Sequence, residues 1–345
     1  APHAEGSQQK SAIEQIRVGA TCAGTNHQGC VTAIEKARSV GGLPAAVQQN
    51  YDKMLAGKYD ALGQSAKAAA QTKANIDKYG GSATELQYIA RKELDAKNYG
   101  EAVKYAQKAV DAKGGGTAYN IMLNAYSAQG KMDDYYKVVE RIAPAMKQDT
   151  YWRMLIERTK KEPKFKSQEG LLDVYRALTS AGVKLNTQEQ KEMAEMALNR
   201  GMAIEAEKIW APLFKAGTLG GASDKDAARN KRLYDLATTE AKADKATDLA
   251  KSETDAATKA TGDAYASTAE SWLGSGDNTK AIDLFQKALA KGNMDAGATD
   301  FVKLRLGIAQ FKGGKKADAT KTWQSIKADN GAGWLAKSWL AIAKS

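Results

Sequence analysis

Residues 265–288 read YASTAESWLGSGDNTKAIDLFQKA. Tyr265, Ala269 and Trp272 fall at helical steps, so they share one face of a helix. Gly276 interrupts the pattern, and Ala281, Phe285 and Ala288 restart it on a second helix. Leu306, Gly307, Gly314, Ala319, Trp323 and Ile326 repeat this arrangement downstream. Upstream, Ala102, Tyr135, Gly170 and Ala206 stand 33, 35 and 36 residues apart. In three of these four units an apolar residue follows seven places on: Ala109, Ile142 and Ala177. A fixed period in this range marks a helical repeat array. Such arrays act by presenting a surface more often than by chemistry.

The composition agrees. The chain has 345 residues, 43% of them apolar with much alanine, and only five prolines. That balance favours helix nearly everywhere. No stretch alternates with period two, so no sheet is expected. Length alone would suggest two or three globular domains, but in a repeat array each unit packs on its neighbours. The net charge is +11, carried mostly by dispersed lysines. The densest runs are Lys160-Lys161, Lys164 to Lys166 and Lys312 to Lys316. None is a block of five or more, so they read as solvated faces that argue against nucleic acid and favour an acidic partner only faintly. No apolar run approaches the roughly 18 residues that span a bilayer.

The chain begins Ala1-Pro2-His3-Ala4-Glu5-Gly6-Ser7, without Met, like a processed N-terminus or a trimmed one. Cys22 and Cys30 flank a Gly/Thr/Asn-rich loop. A disulfide closing this loop fits an exported chain. The alternatives are a reduced buried pair and a metal site from Cys22, His27 and Cys30, which lacks a fourth ligand.

Residues 1–10 read as disordered, followed by helices over about 11–20 and 31–40 and a degenerate pair over 45–56 and 59–78. The expected organisation is an atypical helical region with the Cys loop (1–80), legible repeats (81–221, with an insertion around Pro163), and a third part (222–345). In that part 222–262 reads as one irregular helical pair or a hinge, since Ala206 and Ala281 are 75 residues apart. Two clear repeats and a capping helix, Trp334 to Ala343, follow.

These residues resemble the tetratricopeptide repeat family, whose unit of 34 residues reads Trp-x2-Leu-Gly-x2-Tyr, Ala-x3-Phe, Pro. Leu306-Gly307 matches the Leu-Gly pair; Ala281-x3-Phe285, Ala319-x3-Trp323 and Ala206-x3-Trp210 match the second element. No unit keeps the closing Pro, and Tyr135 and Gly170 replace the expected Ala. The resemblance covers about residues 83–345. It implies an all-α, right-handed solenoid of helix-turn-helix repeats that binds a partner protein or extended peptide in a concave groove. On the family's spacing the groove-facing positions are Gln87, Arg91, Asn120, Asn124, Lys191 and Glu195. Arg91, Asn120 and Asn124 would lie on adjacent units and could hold a carboxylate or an extended backbone.

The two histidines, His3 and His27, lie outside the repeats, which leaves little for His-dependent catalysis or metal binding. No nucleophile elbow, zinc-protease motif or phosphate loop is present, and Asp224, Asp226, Asp244 and Asp248 lack calcium-loop spacing. The expected function is therefore a non-enzymatic interaction scaffold without a cofactor, placed in the bacterial periplasm. The alternative is a periplasmic carrier of a lipid or other hydrophobic molecule, with Trp152, Trp210 and Trp272 lining a cavity.

Overall fold

The computed structural model describes residues 2–161 and 168–345; the insertion expected around Pro163 lies outside them. Among the described residues every regular element is helical. The chain forms two compact units, residues 1–138 and 139–345.

In the first unit α1 (Pro2–Cys22) packs on α2 (His27–Val40), α3 (Ala45–Ala61) on α4 (Ser65–Tyr79), and α5 (Ala83–Asp95) on α6 (Tyr99–Asp111). The next helix, α7 (Gly115–Ala128), lies against both α5 and α6. The chain leaves this unit within α8 (Met132–Met146). The helix over residues 2–10 corrects the expectation of disorder there. Pro2 stands at the first helical position, where its missing N–H costs nothing. Within α1 the faces are also turned. Ser11, Glu14 and Val18 are buried, whereas Ile13 and Ile16 are 56% and 75% exposed. Glu14 is neutralised by Arg17 at 3.0 Å and Lys36 at 3.4 Å, which permits its burial. Cys22 and Cys30 form a disulfide across the α1–α2 turn, with Cα atoms 4.7 Å apart, so neither is a thiolate ligand. Cys30 joins Val18, Ile34 and Leu55 in the core of these helices.

The second unit contains α9 (Asp149–Glu157), α10 (Gln168–Ser180), α11 (Thr187–Asn199) and α12 (Ala203–Lys215). Further on come α15 (Asp263–Ser275) with α16 (Asn278–Lys291), α17 (Ala296–Lys312) with α18 (Lys316–Gln324), and α19 (Gly331–Ile342). The periodic small residues occupy second helices: Ala102, Ala206, Ala281 and Ala319 are fully buried on α6, α12, α16 and α18. A side chain no larger than methyl lets the paired helices cross closely. Gly276 ends α15 in the left-handed region at φ 94°, and Gly130, Gly201 and Gly314 make the corresponding turns.

Residues 222–261 contain neither Gly nor Pro, and the structure there departs from a helical pair. Helix α13 (Ala227–Ala243) passes through a π-helical turn at Asp244–Asp248 into α14 (Leu249–Thr258) with no reversal of direction. With no Gly or Pro to favour a turn, the chain continues as one helical run. Its first half packs on α12, where Phe214 and Tyr234 stack at 4.4 Å, and its second half packs on α15. The run lies within the 75-residue gap between Ala206 and Ala281 and forms no hairpin of its own.

The expected capping helix does more than cover α17 and α18. Helix α19 also packs against α10 and α9, so the first and last helices of the unit cover each other. On its other side, Trp339 of α19 packs with Trp323 of α18 and Phe311 of α17, with ring centroids 5.5–5.9 Å apart. Gly307 makes room for this cluster. A methyl group there would lie 2.2 Å from Trp323 Nε1, which donates to the Leu304 carbonyl at 3.1 Å. Gly307→Ala should therefore cost about 1–3 kcal/mol through overpacking. The check is urea unfolding followed by tryptophan fluorescence; an unchanged midpoint would show that the ring can move aside.

Candidate functional site

The structure separates the groove residues into two groups. Gln87 and Arg91 lie on α5, and Asn120 and Asn124 on α7, which packs beside it. Arg91, Asn120 and Asn124 are exposed. Gln87 is engaged in the fold: its Nε2 donates to the Gly114 carbonyl at 2.5 Å and ties α5 to the α6–α7 turn. Tyr88 and Lys92 add an aromatic ring and a cation to α5, with the ammonium 5.5 Å from the ring centroid. Lys191 belongs to the second unit, where it faces Asp226 at 3.6 Å with a mostly covered side chain. Its neighbour Glu195 accepts both terminal nitrogens of Arg229, at 2.7 and 2.9 Å. Both therefore serve to hold α13 against the second unit.

The second unit instead carries a buried charge network that sequence reasoning did not single out. Asp173 on α10 is fully buried between two guanidinium groups: Arg176 Nη1 at 2.9 Å and Arg305 Nε, from α17, at 2.9 Å. Arg176 turns its other edge to Glu205 on α12, donating from Nε at 2.9 Å and from Nη2. Arg305 Nη1 donates to Glu270 Oε1 on α15 at 2.5 Å, and Arg200 Nη2 donates to Glu270 Oε2 at 2.5 Å. Three arginines thus face three carboxylates.

Burial alone would push the Asp173 carboxyl up, but Arg305 and Arg176 outweigh it and hold it below the usual carboxylate range. Glu205 is lowered by the same balance, through Arg176. Arg176 is raised, since the carboxylates overcome the desolvation that would depress it. The sequence did carry a signal. Arginine is far rarer than lysine here, and these arginines sit inside apolar runs, Leu172-Asp173-Val174-Tyr175-Arg176-Ala177-Leu178 and Leu304-Arg305-Leu306. Arginine suits such sites because its planar fork meets carboxylates with paired hydrogen bonds.

A cavity of about 310 Å³ opens at one end of the network. It is lined by Arg200, Asp263, Ala266, Ser267, Glu270, Ala298, Val302 and Arg305. Trp152 and Trp210 do not reach it; both are buried between helices, 2% and 1% exposed. Among the described residues no group of three or more His, Cys, Asp or Glu side chains is placed to hold a metal ion. No helix there is long and apolar enough to cross a membrane.

The network makes the second unit acid-sensitive in a defined direction. Asp173 and Glu205 titrate lower in the folded than in the unfolded chain. Their contribution is present above the ordinary carboxylate pKa of about 4 and is lost as pH falls from there through the folded values. Each such proton contributes a slope of up to about 1.4 kcal/mol per pH unit in that window. Asp173→Asn should make the acid slope shallower. It should also cost about 3–5 kcal/mol at neutral pH by leaving two guanidinium groups short of a carboxylate. Urea unfolding across pH 2.5–7 checks both, and parallel slopes for the two proteins would place the acid sensitivity elsewhere.

No family model matches the chain, and no curated protein matches it in sequence. Similar solved structures include a tetratricopeptide repeat protein from Parabacteroides merdae, at 10% identity over 98% of this chain and 100% of that one, with a TM-score of 0.32. Another is the tetratricopeptide repeat domain of P58(IPK), at 13% identity over 96% of this chain and 88% of that one, with a TM-score of 0.28. By its own consecutively packed helix pairs, this chain is an all-helical repeat array.

Proposed function

We propose that the chain is a non-enzymatic interaction scaffold that holds an extended segment of a partner protein along the α5–α7 face. The observation that carries this reading is the exposure of Arg91, Asn120 and Asn124 on two adjacent packed helices. Asparagine amides offer both a donor and an acceptor to an extended backbone. Arg91 and Lys92 favour acidic side chains on the same segment, in keeping with the excess of lysine over the whole chain. Gln87 fixes the geometry beneath them, and Lys191 is a separate position in the second unit. A lipid carrier would need an enclosed apolar lining, and four of the eight residues around the cavity beside the charge network are charged.

Capture from an envelope extract, followed by cross-linking and mass spectrometry, tests the scaffold reading. Cross-links from the partner should fall on α5 and α7, and the combined Arg91→Glu, Asn120→Ala, Asn124→Ala variant should retain less than a tenth of the partner. Undiminished capture by that variant would sink the α5–α7 assignment; copurified lipid would turn the reading to a carrier.

We further place the protein in the bacterial periplasm. The support is the Cys22–Cys30 disulfide, which persists in oxidising compartments. Alkylation in intact producing cells should find no free thiol; two reactive thiols would return the protein to a reducing compartment.

A further inference from the structure

We propose that the cavity between α15 and α17 is a binding site for a small zwitterion, a free amino acid or a molecule of similar size with one ammonium and one carboxylate. It is separate from the α5–α7 face and does not depend on it.

The walls carry both signs in equal number. Arg200 and Arg305 supply two guanidinium groups; Glu270 and Asp263 supply two carboxylates. A ligand of net charge would leave one wall charge uncompensated, while a zwitterion can answer both. Arg305 and Glu270 are only 2% and 7% exposed, yet both border the cavity. Their fields act on a ligand with little screening by bulk water. Arg305 already serves two carboxylates, Asp173 and Glu270, so a guanidinium sharing two acceptors is a state this site adopts. A ligand carboxylate would lie beside the Arg200–Arg305 edge. Its ammonium would lie toward Asp263, which stands exposed at the first position of α15.

The space is kept open by small side chains. Ala266, Ser267, Ala298 and Val302 form the remaining wall. Elsewhere in the same unit helix contacts are filled by large rings, as Phe311, Trp323 and Trp339 show. The Arg305–Glu270 pair thus borders a hollow and is not enclosed by side chains on every side. At about 310 Å³ the hollow lies at the lower end of the range for ligand pockets, which suits a molecule of amino-acid size. Its charged lining excludes a lipid tail.

The test is thermal unfolding of the full chain with the common L-amino acids and glycylglycine, each at millimolar concentration, followed by calorimetric titration of any that act. At least one should raise Tm by about 3–8 °C, the shift expected when ligand is well above Kd. Ala298→Leu, which fills the cavity without touching the network, should abolish the shift. Asp263→Asn, at an exposed position outside the network, should weaken the titrated affinity at least tenfold. The N-acetyl, C-amidated form of the same ligand should not bind. The proposal is overturned if no member of the panel shifts Tm, if the shift persists in both variants, or if the blocked form binds as well as the free one.

Discussion

The contact between Asp173 and Arg305 joins residues 132 apart in sequence and closes the second unit on itself. A helical repeat array normally ends in two apolar faces that need separate caps. Here the last helix, α19, reaches the first helices, α9 and α10, and the faces cover each other. That closure brings the inward sides of α10, α12, α15 and α17 to one place. Side chains that would line an open groove in a longer array must therefore satisfy one another. Three guanidinium groups and three carboxylates do so, by hydrogen bonds at 2.5–2.9 Å where their lengths are ordinary.

An ion network of this kind is not the most stabilising way to fill a core, because desolvation offsets most of its Coulomb energy. Its effect is on geometry. Each arginine fork accepts its carboxylates only in certain orientations, so Arg176 fixes α10 against α12, and Arg305 fixes α17 against both α10 and α15. The apolar contacts at Trp339, Trp323 and Phe311 supply burial; the charges select the one register in which every partner is met. Removing the Asp173 carboxylate therefore leaves two cations short of a partner, whereas trimming an apolar side chain in the core leaves only a void.

Much of this fold was legible in the sequence, and the failures share a physical cause. The period of the small residues placed Ala102, Ala206, Ala281 and Ala319 on second helices because close packing leaves no choice at those positions. The disulfide was legible from two cysteines around a glycine-bearing loop. The continuous run from α13 to α14 was also in the sequence, as the absence of Gly and Pro from residues 222–261, but the repeat period invited a hairpin there. On α1, Glu14 takes the inner face in place of Ile13 and Ile16, because Lys36 of α2 is there to neutralise it. Pairings of that sort are decided between helices, and no local pattern reports them. The same holds for the charge network: Arg176 and Arg305 were visible inside apolar runs, but apart from the local Arg176–Asp173 pair their partners lie 29 to 132 residues away.

The assignment of Gln87, Arg91, Asn120, Asn124 and Lys191 to one groove shows the same limit. Family spacing says which helical face a residue occupies, but it does not say whether the fold has already used that side chain. Gln87 is spent on the Gly114 carbonyl and Lys191 faces Asp226, so each contributes to its own unit's packing. Arg91, Asn120 and Asn124 remain at the surface. In the second unit, buried ion pairs meet across α10, α12, α15 and α17 and border a small hollow. In the first, Arg91, Asn120 and Asn124 are exposed, where a partner's backbone and acidic side chains can reach them at little desolvation cost. A macromolecular partner is better served by the first arrangement, and a small charged molecule by the second.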